Sequence, residues 1–380
     1  MNTYFIHTFE LCCLLTYEEY VILNRNLKRI NLNGHYKCLK YAQDGIIISF
    51  RKCSENEQKR KGFSFPYKLF LVVNPSRLIV ANTFVNKILH ADDFIRSMHI
   101  LDDKINSIFG TLIPEISRTD YFDLSRIDIT KDIHNIPENI IHEYIRITRK
   151  LPLHYGYHLN NQLEEKCTSY SQEDSVNIIN DTNKTEFVLY NKHKATIDQG
   201  YPEDVQKQYK DVLRMELRCG RNFIRKKTKD MYASEALEYF YHNMQPVVSD
   251  IFNRLFLCGN DTCFLSYSWL KKMIKRLTGS KKKKREKMLN LAIALYKNPD
   301  KEFDDVLFRL FNSDKARNNV ISYFVSINLS PIAIPTQDIP YLQSLNSLLE
   351  FKMLSEDEKF YFKFVQHKER NKEIFLNYFI

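Results

Sequence analysis

The sequence predicts an α+β fold, an antiparallel sheet layered with helices, followed by a mostly helical C-terminal region. Three observations carry that expectation. Several stretches alternate apolar and polar residues with the period of a strand, and short turn signals join them as hairpins. Residues 83–110 and 137–150 instead repeat apolar residues at helical spacing. From about Ala233 helical patterns follow one another, beginning with Ser234 as an N-cap before early acids. The expected division is therefore an α+β unit over 1–235 and a helical unit over 240–380.

Residues 1–30 hold two apolar pieces, and Thr16-Tyr17-Glu18-Glu19 starts a helix with Tyr20, Ile22 and Leu23 buried. Residues 35–41 and 45–50 read as strands around an Asp44-Gly45 turn. A charged loop covers 51–62. Residues 67–73 form an apolar strand that Asn74-Pro75 stops. The 83–110 helix uses Phe94, Ile95 and Met98 on its apolar side. A strand over 123–132 and a helix over 137–150, with proline in its first turn, come next. Then follow an extended stretch at 153–159, an exposed loop at 160–175, a 175–179/185–191 hairpin and a strand at 211–219. Helices are expected at 247–257, 266–278, 284–298, 301–312 and 313–327, with one or two more over 341–380.

Composition narrows the function classes. The chain has 380 residues, 44% of them hydrophobic, enough to bury a sizeable core. Lys and Arg number 56 against 46 Asp and Glu, a net +10 that favours a polyanionic partner, nucleic acid before an acidic membrane surface. The eight cysteines contain no CxxC, which gives no zinc-finger framework and points to a reducing compartment. No basic leader and no run of 18 apolar residues is present, so a cytoplasmic protein without a membrane partner is expected.

The residues with most chemistry fall on three strands. Thr185-Glu186-Phe187-Val188-Leu189-Tyr190-Asn191-Lys192 reads as one short strand with Tyr190 and Lys192 on the same face. Asp128, Thr130 and Asp132 share a face of Arg126-Ile127-Asp128-Ile129-Thr130-Lys131-Asp132, with Ile127 and Ile129 toward the core. Glu216 lies between Arg214 and Arg218, opposite Leu213, Met215 and Leu217. Hard oxygen donors on rigid strands suit Mg²⁺ or Mn²⁺, which makes Asp128, Glu216 and the strand-end Asp132 metal candidates. A nearby cation, the metal or Lys192, favours the phenolate of Tyr190. Arg214 and Arg218 would hold phosphates by bidentate bonding. The plainer alternative is a half-exposed sheet face whose charges pair across strands. His154 and His158, which would share a strand face, are weaker metal candidates.

The ordered triple Arg126-Ile127-Asp128-Ile129, Val188-Leu189-Tyr190-Asn191-Lys192 and Leu213-Arg214-Met215-Glu216-Leu217-Arg218 resembles rolling-circle replication initiators of the plasmid Rep_trans and filamentous-phage gene II types. The resemblance spans about 120–220. It implies that Tyr190 is the nicking tyrosine, Asp128 and Glu216 the acidic metal positions, and Lys192 the basic residue beside the tyrosine. The implied reaction forms a phosphotyrosyl–DNA ester and a free 3′-OH in single-stranded or extruded origin DNA. A host helicase and a second copy of the chain are partners that such a role allows. The His-hydrophobic-His metal motif of another large class of nicking enzymes is absent, as is the glycine-serine-rich hairpin common before the family's tyrosine.

A basic surface extends the expected DNA contact. Arg221, Arg225, Lys226, Lys227 and Lys229 follow the Glu216 strand. Lys271, Lys272, Lys275, Arg276, Lys281, Lys282, Lys283, Lys284, Arg285 and Lys287 then stand against Glu286 alone. Such a face suits phosphate-backbone binding with steep salt dependence, although charge runs are commonly just solvated. The competing functional class is a non-enzymatic DNA-binding replication or regulatory protein on the same scaffold.

Overall fold

The computed structural model describes residues 4–27, 29–32, 36–39, 45–60, 65–80, 89–160, 174–299, 301–335 and 338–350. Among these, ten strands form one antiparallel sheet. They are β1 (Phe5–Leu15), β2 (Arg29–Leu32), β3 (Tyr36–Leu39), β4 (Ile46–Lys52), β5 (Tyr67–Val73), β6 (Asp123–Ile133), β7 (His158–Leu159), β8 (Ser175–Asn180), β9 (Thr185–Asn191) and β10 (Leu213–Gly220). Their order across the sheet is β2-β3-β4-β5-β1-β6-β10-β9-β8-β7. The fold is α+β with a helical C-terminal region, as the sequence predicts.

Period-two alternation decides which face is which. Phe9, Leu11, Leu15, Ile127, Ile129, Leu213, Met215 and Leu217 have no exposed surface and form one face. Helices Ala91–Phe109, Glu138–Lys150, Ala233–His242 and Met244–Phe252 add Leu101, Ile105, Ile141, Ile147, Leu237 and Phe252 to that layer. The apolar residues of sheet and C-terminal helices make one continuous core, reaching Leu349. Lys131 points into it without exposure, and its Nζ donates to Leu349 O (3.0 Å) and pairs with Glu350 Oε2 (2.9 Å). The other face carries the polar residues.

Several local expectations change. Residues 5–15, read only as apolar, form a central strand between β5 and β6. The following helix, Tyr17–Asn26, starts where expected, with a Thr16/Glu19 capping box, but Ile22 is 39% exposed. Ile22 lies off the face that turns Leu23 inward. The charged 51–62 stretch contains a helix, Glu55–Arg60. Ser54 and Glu57 exchange backbone and side-chain hydrogen bonds there, which satisfies the helix's first donors. Ile95 is exposed on the 91–109 helix, whose inward stripe is Phe94, Leu101, Ile105 and Ile108. Of the 153–159 stretch only His158 and Leu159 are in a strand. The helix expected at 247–257 runs Met244–Phe252. Tyr341–Leu342 is a short strand pairing with Phe264–Leu265, and Leu345–Leu348 is a helix. The expected Asp44 turn residue, residues 83–88 of the expected 83–110 helix, most of the 160–175 loop and residues 351–380 lie outside the described residues. Among the described residues no helix is long and apolar enough to cross a membrane.

The central place of β1 has a mechanical consequence. Phe9→Ala is expected to lower unfolding free energy by about 3–5 kcal/mol, as for large-to-small changes in a closed core. Ile22→Ala should change it by about 0.5 kcal/mol or less. Urea unfolding of both variants checks this. Equal effects would place β1 at the periphery.

Candidate active site on the polar sheet face

Strand register brings the predicted residues together. Arg214 pairs with Tyr190 on one side and Asp132 on the other. Glu216 sits opposite Val188 and Thr130, and Arg218 opposite Glu186 and Asp128. Residues two apart share a face, so Tyr190, Asp128, Asp132, Arg214, Glu216 and Arg218 line one surface. Tyr190 packs with Val188 and Ala195, apart from the main core.

The surface is organised on the Glu216 carboxylate. Tyr190 Oη donates to Oε1 at 2.6 Å. Arg214 Nη1 stands 3.9 Å from the same oxygen, and Arg218 Nη2 donates to Oε2 at 3.4 Å. Burial opposes the charge on Glu216, yet protonated His7, Arg214 and Arg218 outweigh it and hold the carboxyl at about 2. His7 itself is lowered to about 4, by burial above all and against the pull of Glu216. At neutral pH His7 is therefore uncharged, and the two guanidinium groups keep Glu216 ionised.

Arg214 is fully buried, and its Nε and Nη2 clasp Asp132 Oδ1 and Oδ2 at 2.5 and 2.6 Å. Its Nη1 makes no hydrogen bond among the described residues. The Arg214 guanidinium also lies 5.4 Å from the Tyr209 ring and 5.8 Å from that of Phe5. Asp128 accepts from Thr8 Oγ1, and Arg126 Nε is 3.2 Å from its Oδ1. Burial raises the Asp128 carboxyl above its ordinary value, against Arg126 and Thr8.

Lys192 departs from the expected geometry. The strand ends at Asn191, whose side chain caps the helix Lys192–Asp198 by accepting from Lys194 N (3.2 Å). Lys192 thus opens a helix and does not alternate with Tyr190. It is buried, with Nζ 5.1 Å from the Tyr209 ring and 5.9 Å from Tyr201. Burial first, then Arg214, lower its pKa to about 8, against Glu216 and Asp132.

Four participants escaped the sequence reading. His7 Nδ1 is 3.7 Å from Glu216 Oε1, Thr8 binds Asp128, Glu10 Oε2 is 3.9 Å from Arg126 Nη1, and Glu186 pairs with Arg218 at 3.2 Å. For His7, Thr8 and Glu10 the signal lay in β1. Its register against β6 jumps between Ile6↔Ile129 and Thr8↔Asp128, a bulge that turns both His7 and Thr8 to the polar face.

The donor set matches a divalent metal only in part. Among the described residues no three His, Cys, Asp or Glu side chains are grouped to hold one. Mg²⁺ commonly takes one or two carboxylates and completes its shell with water and substrate phosphates. Asp128 alone fits that pattern, through a buried Oδ1 that accepts no hydrogen bond among the described residues and lies 3.2 Å from Arg126 Nε. Glu216 does not, because Tyr190 and Arg218 donate to its two oxygens. Asp132 does not fit, because Arg214 occupies both its oxygens. His154 is exposed in a turn, and His158 pairs with Asp181 at 3.6 Å; neither touches the network.

The expected phosphate-binding arginines also change role. Arg214 is wholly internal, and Arg218, 40% exposed, is tied to two carboxylates. Arg221 pairs with Asp123, Lys226 donates to Asn183 Oδ1 (2.6 Å) and Lys227 to Asp250 (3.2 Å), while Arg225 is exposed. Lys271 and Lys272 lie over the rings of Tyr267 and Trp269.

Removing one partner of a buried pair strands the other charge. Asp132→Ala is accordingly expected to cost about 3–5 kcal/mol. Glu10→Gln, at the half-exposed margin, should cost about 1 kcal/mol or less. Denaturant midpoints of both variants test this ranking. No protein-family model and no curated protein sequence matches the chain.

Proposed function

We propose that the chain nicks DNA by attack of Tyr190 on a phosphodiester, as a replication initiator of the rolling-circle type would. The observation that carries this reading is the 2.6 Å hydrogen bond from Tyr190 Oη to Glu216, beside an Arg214 Nη1 that makes no hydrogen bond among the described residues. A nucleophile, a proton acceptor and a cation are thereby held within one cluster on rigid strands.

In the proposed step the Tyr190 Oη–phosphorus bond forms while the bond from phosphorus to the 3′ oxygen breaks. Glu216 takes the phenolic proton as the new bond forms. Kept ionised by Arg214 and Arg218, it does not retain that proton, which passes to the far more basic 3′ oxygen. Arg214 and Lys192 stabilise the negative charge that develops. Mg²⁺ or Mn²⁺ held by Asp128 would supply Lewis-acid polarisation of the phosphate when bound. Tyr190 is only 5% exposed, with Ala195 of the Lys192–Asp198 helix against it, so a substrate phosphate requires that helix to yield.

That burial favours a second reading, a DNA-binding replication or regulatory protein in which the network only braces the sheet. Incubation with supercoiled origin-bearing DNA and Mg²⁺ or Mn²⁺ separates the two. Nicking that Tyr190→Phe abolishes, with DNA affinity unchanged, is expected from the first reading. Absence of nicking in the wild type, or nicking that survives in Tyr190→Phe, ends it.

Lys192 sets a pH limit on the same chemistry. Its folded value of about 8 lies below the ordinary 10.5, so its charge is present below pH 8 and lost as pH rises through it. Nicking is expected to fall above about pH 8, with the descending limb moving upward in Lys192→Arg. An unchanged limb in that variant removes Lys192 from the step.

A further inference from the structure

Helices Tyr267–Thr278 and Lys282–Lys297 are joined by three residues, with Gly279 at φ +50°. The rings of Tyr267 and Tyr296 stack at 4.2 Å, so the start of the first helix meets the end of the second. The pair is an antiparallel hairpin. Leu270, Met273 and Ile274 are buried on the first helix, and Met288, Leu291 and Leu295 on the second.

The hairpin tip is cationic. Lys275, Arg276, Lys281, Lys282 and Lys283 are exposed there, and Lys284 and Arg285 are half-buried. Among the described residues no carboxylate pairs with Lys275, Lys281, Lys282 or Lys283. A merely solvated face intersperses both signs of charge. Here the cations stand against Glu286 alone, and the net repulsion is what a bound polyanion would relieve. A cleft of about 470 Å³ opens beside the turn, lined by Arg276, Ser280, Lys281, Lys284 and Ser326. Lys284 Nζ donates to Ser326 Oγ at 2.8 Å and lies over the Tyr323 ring. The lining thus offers cations and hydroxyls, the groups that hold a phosphate.

We infer that this hairpin tip docks on the phosphate backbone of duplex DNA, apart from the Tyr190 site. Single-strand binders stack bases on exposed aromatic rings. The tip presents none among the described residues, since Tyr323 lies beneath Lys284 and the Tyr267–Tyr296 stack is at the hairpin's other end. From 281 to 285 it offers only lysine and arginine, which grip phosphates without reading sequence. The inference shares with the nicking reading the nature of the polymer and does not depend on Tyr190.

The test is fluorescence anisotropy of the full chain carrying Lys275→Gln, Lys281→Gln, Lys282→Gln and Lys283→Gln, on a 30-bp duplex and on one of its strands. Duplex affinity at 100 mM salt is expected to fall at least tenfold, and the slope of log affinity against log salt to shrink by about 3–4, near 0.9 per lost cation. Single-strand affinity should change less than threefold, and Tyr190→Phe should bind duplex as the wild type does. An unchanged duplex slope overturns the inference, as does an equal loss on both substrates. Retained duplex binding with the loss appearing only on anionic vesicles overturns it too. A wild type that binds duplex through these lysines yet never nicks leaves it standing while the nicking reading fails.

Discussion

A carboxylate buried at the centre of a sheet is the constraint on which the polar face depends. Glu216 is 3% exposed, and an isolated charge there would be prohibitive. It is tolerated because antiparallel register puts Arg214 and Arg218 two residues away on its own strand and Tyr190 on the next. Arg214 is in turn fully internal and needs Asp132, so the compensation runs across three strands. Each charge is supported by a neighbour that the sheet, not the side chains, places. This makes β6, β9 and β10 a rigid frame for whatever chemistry occurs on them.

The same strands serve two layers. Their odd residues from Leu213 to Leu217 build the core beneath helices, and the even ones build the charged face. β6 couples further, since Lys131 on its inner side holds the carbonyl of Leu349 while Asp128 and Asp132 face outward. The end of the described C-terminal region is thereby tied to a strand that carries two acids of the candidate site.

The sequence made β6, β10 and the Glu138–Lys150 helix legible because their periods are unbroken over enough residues. That Asp128 and Glu216 point away from the core followed from alternation, but that their strands are neighbours, with the Tyr190 strand beside that of Glu216, is given by the sheet order. β1 was not legible. Its bulge interrupts alternation at His7, and its second half, Leu11-Cys12-Cys13-Leu14-Leu15, is apolar at every position. With β1 unread, His7, Thr8 and Glu10 had no place at the site. Lys192 was misread because a strand-to-helix change at Asn191 is a capping event that period counting does not see. Ion pairing was equally hidden: alternation shows that arginine and acid share a face, but only register shows that Arg214 is committed to Asp132.

The most direct measurement is adduct mapping on the wild-type chain. After reaction with a single-stranded origin oligonucleotide and nuclease trimming, trypsin releases the peptide 185–192, in which Tyr190 is the sole tyrosine. Mass spectrometry is expected to find the nucleotide phosphate on that peptide. A covalent nucleotide on any other tyrosine, or on none, contradicts the assignment of this sheet face as a nicking site.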